Sequence, residues 1–334
     1  LDVMFGRTTL DAVRLPYSAF AKPGVRLLRE TVTAIDPDAR RVTTDAGVHE
    51  ADVLVVALGA DYDYEATPGL TEVGNEFYSV AGAQRLAAAL PQFTSGRAVV
   101  GVCGAPYKCP PAPSEAALLL HDFLLSRGVR GKCEIAIVTS FDTPIPPSPE
   151  TSTALLAAFE ERGIAFHPGR RIRSLGAGTV ALEDGTELPF DLFLGVPKHR
   201  APDVVLASGM AEDGYIPVSS QTLETRFPGV YAVGDVATAG VPKAGVFSEA
   251  AARVVAESVL AAVRGGEPPA PFDGRASCYI EFGSGLVGRV DIDFLSGPKR
   301  TGSYHAPSAA LVEEKRNFGS IRRARWFGAG EPAL

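Results

Sequence analysis

The sequence predicts an α/β fold built on buried parallel strands. Three near-continuous apolar runs, at residues 51–60, 98–102 and 133–139, have the composition of strands that are covered on both faces. Between the second and third runs, residues 114–127 carry apolar side chains at helical spacing, and Gly128 follows as a helix stop. Because strand, helix and strand follow each other in this order, we expect a βαβ unit.

The rest of the chain extends this pattern. Further helices are predicted at residues 83–90, 151–162 and 244–263, and further strands at residues 25–28, 32–35, 41–47, 164–167, 180–182, 190–194 and 229–235. A proline-rich boundary at residues 268–271 precedes a predicted β-hairpin formed by residues 278–283 and 290–294. Three arginines stand beside Trp326 and Phe327 in the last segment, which predicts either a solvated tail or a contact with an anionic membrane surface.

Composition and charge argue against several classes of protein, including nucleic-acid-binding, membrane-spanning and disulfide-rich proteins. The 334 residues suffice for two domains of ordinary size. The net charge of −7 argues against nucleic acid as a partner. The sequence contains no apolar run long enough to predict a transmembrane helix. Four scattered cysteines do not form a disulfide framework, and none has a histidine at metal-ligand spacing, so no metal site is predicted.

The loop between the second apolar run and its helix stands where a nucleotide-binding protein has a glycine-rich turn. Only Gly101 and Gly104 remain there, and three prolines between residues 110 and 113 lack the N–H groups that would hold a phosphate. The loop instead presents Cys109. A thiol just before a helix can have a lowered pKa and react as a thiolate, and the alternative is an inert buried cysteine.

Two further signals point to a cofactor at the sheet edge. Gly59 ends an apolar strand and lets a ligand approach the backbone closely. A second strand ends in Gly234 and Asp235, which places a carboxylate above the sheet, where it could accept a hydrogen bond from a ribityl hydroxyl. Either motif alone is weak, but the pair with a βαβ unit between them favours a dinucleotide cofactor.

With these motifs the chain resembles the flavoprotein reductases that have two dinucleotide-binding domains. Within them it is similar to the group of sulfide:quinone oxidoreductases and flavocytochrome c sulfide dehydrogenases. The resemblance spans roughly residues 8–285, and its most specific segments are Tyr107-Lys-Cys-Pro-Pro-Ala-Pro, Ser114-Glu-Ala, Val233-Gly-Asp, Pro242-Lys-Ala-Gly-Val-Phe-Ser-Glu-Ala and Ser277-Cys-Tyr.

The resemblance implies a domain layout of two Rossmann-like, three-layer FAD/NAD(P)-binding domains with a small C-terminal segment that contains β-structure. Residues 1–85 and 213–267 would form a discontinuous FAD-binding domain. Residues 86–212 would form the NAD(P)-binding-like domain with the degenerate loop, and residues 268–334 the C-terminal segment.

The same resemblance implies a redox site with FAD. Cys109 and Cys278 would face each other across the flavin as a redox-active pair, while Lys243, Ala244 and Gly245 would begin a helix directed at the flavin. The implied reaction is oxidation of sulfide or a related sulfur species, with a quinone or haem as electron acceptor. His199 is either an acid or base near the acceptor site or a surface-loop histidine.

One departure from the family pattern keeps alternatives open. The family's opening G-x-G-x-x-G unit is absent from this sequence, so FAD binding is expected for the intact parent protein. The rivals are a protein like the type II NADH:quinone reductases, which the prolines of the Cys109 loop disfavour, and a non-catalytic remnant that has lost FAD. A cytoplasmic location, peripheral to a membrane or not, is expected, and a homodimer is left open.

Overall fold

The computed structural model describes residues 1–20 and 22–328. Its helices are α1 (Leu10–Val13), α2 (Val80–Ala89), α3 (Ala112–Ser126), α4 (Pro149–Glu161), α5 (Asp203–Ala207), α6 (Gly245–Arg264) and α7 (Ala309–Phe327). Its strands are β1 (Val32–Asp36), β2 (Arg41–Thr44), β3 (Val48–Glu50), β4 (Leu54–Val56), β5 (Asp61–Asp63), β6 (Gly96–Val102), β7 (Cys133–Val138), β8 (Ile164–His167), β9 (Ile172–Gly176), β10 (Thr179–Leu182), β11 (Glu187–Pro189), β12 (Leu192–Val196), β13 (Lys198–Arg200), β14 (Ile216–Pro217), β15 (Val230–Ala232), β16 (Ala237–Thr238), β17 (Arg275–Gly283), β18 (Leu286–Asp293) and β19 (Thr301–Ser308).

A four-stranded parallel sheet in the order β12-β6-β7-β8 is the centre of the middle part of the chain. Its side chains alternate between two faces, as the strand period requires. Val100 and Ile137 point into a core shared with α3 and α4, whereas Val99 and Ala136 point into a second core shared with β9 and β10. The sheet is therefore covered on both faces, and its strands read as continuous apolar runs for that reason.

The layer opposite the helices is the antiparallel sheet β11-β10-β9. Phe193 of β12 points toward it and is fully buried. A Cβ on Gly101 of β6 would lie 2.4 Å from the ring of Phe193, so the glycine leaves space that the aromatic ring fills. Helices, parallel sheet and antiparallel sheet together give the predicted three-layer α/β arrangement.

The second part of the fold is built around two parallel strands, β4 and β15, which come from distant parts of the chain. α6 packs beside them through Phe247, Ala251 and Val255. The antiparallel pair β5 and β13 connects the two parts, since β5 follows β4 and β13 follows β12. This connection sets the strand ends of one part against the Cys109 loop of the other.

The C-terminal segment differs from the predicted hairpin and tail. It is a three-stranded antiparallel sheet, β17-β18-β19, followed by α7. Ser308 caps that helix by accepting a hydrogen bond from the N–H of Leu311, a local signal present in the sequence. The predicted hairpin is thus one part of a larger sheet, and the predicted tail over residues 313–327 is helical.

The predicted strand at residues 25–28 is wrong. Val25, Leu27 and Leu28 are exposed, and these residues have no strand structure. An apolar run forms a strand only where a neighbouring strand accepts its hydrogen bonds, and none is paired with this segment among the described residues. Within the described residues, no helix has both the length and the apolar character that crossing a membrane requires.

Candidate active site

Cys109 lies in the loop between β6 and α3 and is held there by its backbone. Its N–H donates to the carbonyl of Lys243 over 2.8 Å, and its own carbonyl accepts from the N–H of Ala112. The phenol of Tyr78 donates to the carbonyl of Lys108, the preceding residue, over 2.8 Å. These bonds hold Cys109 at a φ of 53°, a left-handed conformation that a non-glycine residue adopts only when its surroundings fix it.

Cys278 lies on β17, opposite Val290 of β18, and is half-buried. α3, which follows the Cys109 loop, packs on β17, so the two cysteines come together from distant parts of the chain. Both are free thiols, and each is within electrostatic range of the same carboxyl group, that of Glu115. The structure therefore brings together the two cysteines that were predicted as a pair.

Both thiols are held in the protonated form at neutral pH. Desolvation, then the carboxyl of Glu115, raise the pKa of Cys278 to about 11. The pKa of Cys109 is also raised, by desolvation, by Glu115 and by Cys278. Part of Cys109 is exposed to solvent, but the direction of the shift does not depend on burial alone, because Glu115 and Cys278 act in the same sense. Of the two alternatives left open for Cys109, the raised pKa does not support a thiolate at this helix start.

Lys243 is buried directly beside the Cys109 loop, and is not a solvated surface lysine. It is 7% exposed, and its ammonium donates to the carbonyl of Asp235 over 2.6 Å and lies 3.4 Å from the ring centre of Tyr215. Burial lowers the pKa of Lys243 to about 8, although the charge of Asp235 acts in the opposite direction. The ammonium of Lys243 thus donates to the Asp235 loop, while the backbone carbonyl of Lys243 accepts a hydrogen bond from Cys109.

Four of the six predicted cofactor residues line one small cavity. Gly234 and Asp235 follow β15, while Lys243 and Ala244 lead into α6, and all four line this cavity. Gly59 lies after β4, the strand paired with β15, and the next carbonyl, that of Ala60, accepts from the ammonium of Lys108 over 3.2 Å. The site of the cofactor residues and the cysteine loop are thus joined by direct hydrogen bonds.

These residues fit an FAD molecule in two respects. The Oδ1 atom of Asp235 is buried and has no hydrogen-bond partner among the described residues, which suits an acceptor for a ribityl hydroxyl. α6 begins at Gly245 with no side-chain cap from Ala244, and Ala244, Phe247 and Ser248 at this helix start line the cavity, so the positive dipole end of α6 lies at the cavity. Burial raises the pKa of Asp235, whereas Lys108 and Lys243 favour its ionised form.

His199 is neither exposed nor in a loop. It lies on β13 opposite Tyr62 of β5 and is 2% exposed, with its ring edge-on to the rings of Tyr62 and Tyr78 at 5.1 Å each. Nδ1 lies 2.8 Å from the carbonyl of Pro197, while Nε2 has no partner among the described residues. Burial lowers the pKa of His199 to about 4, so the imidazole is neutral. The prediction of a surface-loop histidine is wrong, because the link between the two parts of the fold covers it.

Two residues at the site lie in segments that carry the family resemblance, but neither was predicted as a site residue. Lys108 bonds to Ala60 and to the phenol of Tyr62, and Glu115 reaches the backbone of Glu281 on β17. Their contacts join distant segments of the chain, so the available signal was their place in the motifs around Cys109. Among the described residues, no group of three or more His, Cys, Asp or Glu side chains could hold a metal ion.

A three-layer α/β domain joined to a second part with a cofactor cavity defines the class of two-domain dinucleotide-binding oxidoreductases. The family model of pyridine nucleotide-disulphide oxidoreductases matches residues 19–266. The chain belongs to this family, whose members are FAD-binding flavoproteins.

The chain is similar to two kinds of protein. The mitochondrial sulfide:quinone oxidoreductase of Mus musculus is 25% identical over 83% of this chain and 65% of its own length. An NADH dehydrogenase-like protein of Mycobacterium tuberculosis is 30% identical over 69% of this chain and 60% of its own length. The chain therefore spans slightly less than two thirds of the length of these relatives.

Solved structures show the same fold. The X-ray structure of the sulfide:quinone oxidoreductase from Aquifex aeolicus superposes with a TM-score of 0.84 at 22% identity, over 97% of this chain and 81% of that one. A ferredoxin reductase from Rhodopseudomonas palustris superposes with a TM-score of 0.62 at 21% identity, over 85% and 68% of the two chains. The predicted fold class is confirmed.

Proposed function

We propose that this protein is an FAD-dependent oxidoreductase that oxidises sulfide and passes the electrons to a quinone. Two observations support the proposal: α3, which follows the Cys109 loop, packs on β17, which carries Cys278, and the N–H of Cys109 donates a hydrogen bond to Lys243, which lines the cofactor cavity. The similarity to sulfide:quinone oxidoreductases from mouse and Aquifex aeolicus supports the substrate and the acceptor.

The chemistry begins with the cysteine pair as a disulfide. The sulfur of sulfide forms a bond to one cysteine while the Cys109–Cys278 bond breaks, and the other cysteine leaves as a thiolate with the electron pair. Bound FAD supplies a two-electron acceptor for this thiolate and a donor to the quinone. Asp235 would hold the cofactor's ribityl chain, and the start of α6 would stabilise negative charge that develops on the flavin.

The runner-up is an NADH-dependent quinone reductase, which the similarity to the mycobacterial NADH dehydrogenase-like protein favours. The loop between β6 and α3, where such a reductase would bind its nucleotide, disfavours this alternative. The structure places Pro111 at the N-cap of α3 and Pro113 in its first turn, where backbone N–H groups would otherwise bind a phosphate.

An anaerobic titration of the flavin tests the proposal in the intact protein. We expect sulfide to bleach the flavin, and Cys109→Ser and Cys278→Ser each to abolish that bleaching. Cys133→Ala, which changes a buried thiol on β7, is the matched control and is expected to leave the bleaching unchanged. Bleaching by NADH but not by sulfide would establish the runner-up, and an absence of bound flavin would establish the non-catalytic remnant.

The haem acceptor, the homodimer, the membrane contact and the cytoplasmic location stay predictions. Arg322 and Arg325 of α7 both contact Glu249, so this carboxylate partly neutralises the positive charge with which α7 could bind a membrane. Trp326 is 37% exposed at the end of that helix.

A further inference from the structure

The peptide group between Lys108 and Cys109 is held at both ends by distant parts of the chain. Its carbonyl, which belongs to Lys108, accepts a hydrogen bond of 2.8 Å from the phenol of Tyr78. Its N–H, which belongs to Cys109, donates over 2.8 Å to the carbonyl of Lys243, just before α6. The carbonyl of Cys109 accepts from the N–H of Ala112 over 2.9 Å, so the peptide groups on both sides of Cys109 are fixed.

The phenol of Tyr78 belongs to a closed ring of three hydrogen bonds. The carbonyl of Tyr78 accepts from the phenol of Tyr62 over 2.8 Å, and that phenol accepts from the ammonium of Lys108 over 3.0 Å. The bond from Tyr78 to the carbonyl of Lys108 closes the ring. Burial raises the pKa of both phenols, so each keeps the proton that it donates. We name Tyr62, Tyr78 and Lys108 the tyrosine latch.

The tyrosine latch is attached to the link between the two parts of the fold. Tyr62 lies on β5, which pairs with β13, and Tyr78 directly precedes the N-cap of α2. The ring of His199 on β13 packs edge-on against the rings of both tyrosines. The ammonium of Lys108 also donates to the carbonyl of Ala60, next to β5. The tyrosine latch therefore fixes the Cys109 loop relative to this link.

Cys109 needs such support because of its backbone conformation. Its φ of 53° is left-handed, which lowers the population of a non-glycine residue roughly tenfold when nothing holds it. Cys278 lies within β17 and is paired with β18, so its backbone does not follow a displaced loop. A disulfide forms only within narrow limits of distance and direction between the two cysteines. The conformation of the Cys109 loop therefore decides how readily the pair closes.

We propose that Tyr78 is a positioning residue of the cysteine pair, which through the tyrosine latch holds Cys109 in the conformation that closes the disulfide with Cys278. This inference rests on the proposed function, because it requires the two cysteines to form a disulfide.

Tyr78→Phe tests this, since it removes one hydroxyl group and keeps the ring that packs on His199. The first readout is the equilibrium of the cysteine pair with glutathione in the intact protein. Oxidised glutathione takes two electrons and two protons from the thiols and becomes two molecules of reduced glutathione. The equilibrium constant for disulfide formation should fall roughly threefold to tenfold, the effect of one hydrogen bond. A purely structural role would destabilise the oxidised and the reduced protein alike and leave this constant unchanged.

The second readout is amide hydrogen exchange of the Cys109 loop in the reduced protein, which needs neither a disulfide nor flavin. Prolines at positions 110, 111 and 113 lack an amide hydrogen, so between residues 107 and 113 only four residues carry one, namely Tyr107, Lys108, Cys109 and Ala112. The N–H groups of Cys109 and Ala112 are those that fix the loop. Mass spectrometry of this segment should show exchange that is roughly threefold to tenfold faster in Tyr78→Phe.

Two further variants complete the experiment. Tyr231→Phe removes a buried phenol on β15 that donates to Glu224, and as the matched control it should change neither readout. Tyr62→Phe opens the tyrosine latch without removing a bond to the Cys109 peptide group, and it should shift both readouts in the same direction by roughly twofold. If Tyr78→Phe does not fold, Tyr62→Phe decides the question by the same criteria.

A lower equilibrium constant together with faster exchange supports the proposal. An unchanged constant overturns it, whether or not exchange is faster. A lower constant with unchanged exchange also overturns it, because Tyr78 would then act without holding the loop. A wild-type protein in which oxidation forms no Cys109–Cys278 disulfide overturns this proposal and the proposed function together. A disulfide that responds to Tyr78→Phe in a protein whose flavin sulfide does not bleach counts against the proposed function alone.

Discussion

Replacing Lys243 by methionine should change how the stability of the protein depends on pH. Lys243 is buried, and its ordinary pKa of 10.5 is lowered to about 8, mainly because burial disfavours the ammonium. A base with a lowered pKa in the folded state makes the fold less stable at pH values where it is charged in both states. That cost is fully present below pH 8 and is lost as the pH rises from about 8 to about 10.5.

The difference of 10.5 − 8 = 2.5 units corresponds to about 3 kcal/mol, since one pKa unit is about 1.4 kcal/mol. Two contacts offset part of this cost at neutral pH, namely the hydrogen bond to the Asp235 carbonyl and the ammonium over the Tyr215 ring. Their loss is worth about 1–3 kcal/mol each. The absolute stability of Lys243→Met near pH 7 is therefore expected to lie close to that of the wild type, while its pH dependence differs.

Denaturant unfolding of the flavin-free protein, at several pH values between about 7 and about 10, measures this difference. The stability of the wild type should rise relative to Lys243→Met by roughly 2 kcal/mol over that interval. Lys132→Met, at an exposed position, is the matched control and is expected to leave the pH profile unchanged. If the free energy of unfolding depends on pH in the same way for wild type and Lys243→Met, the reasoning is refuted. Lys243 would then be as well solvated in the folded state as in the unfolded state.

Two further predictions concern the rest of the fold. Gly69→Ala should destabilise the protein by about 2–4 kcal/mol in chemical denaturation, because φ is 88° there and the new Cβ would lie 1.9 Å from the Leu175 carbonyl oxygen. Gly128→Ala, with φ of 68° and open space, should cost only about 1–2 kcal/mol, and equal losses would contradict the steric argument. His199→Leu should remove a loss of stability of about 3 kcal/mol that the wild type suffers as the pH falls from 6.5 to about 4, since a base with a lowered pKa costs stability where it becomes charged. Denaturant unfolding at several acidic pH values checks this, and the same acid slope for both proteins would show that His199 does not titrate in the folded state.

The prediction from sequence succeeded where the signal is local. The structure has two strands and a connecting helix at nearly the predicted bounds, namely the strands 98–102 and 133–139 and the helix between them. The spacing of apolar residues and the glycine that ends the helix are signals that lie within a few residues of each other. The predicted strand at residues 25–28 failed, because an apolar run needs a partner strand that the sequence does not display. The helix α7 was missed although Ser308 offered a cap for it.

By itself, the sequence determined the α/β class, the proline-filled loop that presents Cys109 and the strand-end glycines, since each depends on the conformational limits of residues next to one another. Resemblance to a family suggested Cys278 as the second cysteine. Only the tertiary structure decided that Lys243 holds Cys109 through its carbonyl, that Glu115 accepts a hydrogen bond from the strand that carries Cys278, and that His199 is covered. It also decided that the pKa of Cys109 is raised, because the desolvation of this thiol arises from segments that packing brings together.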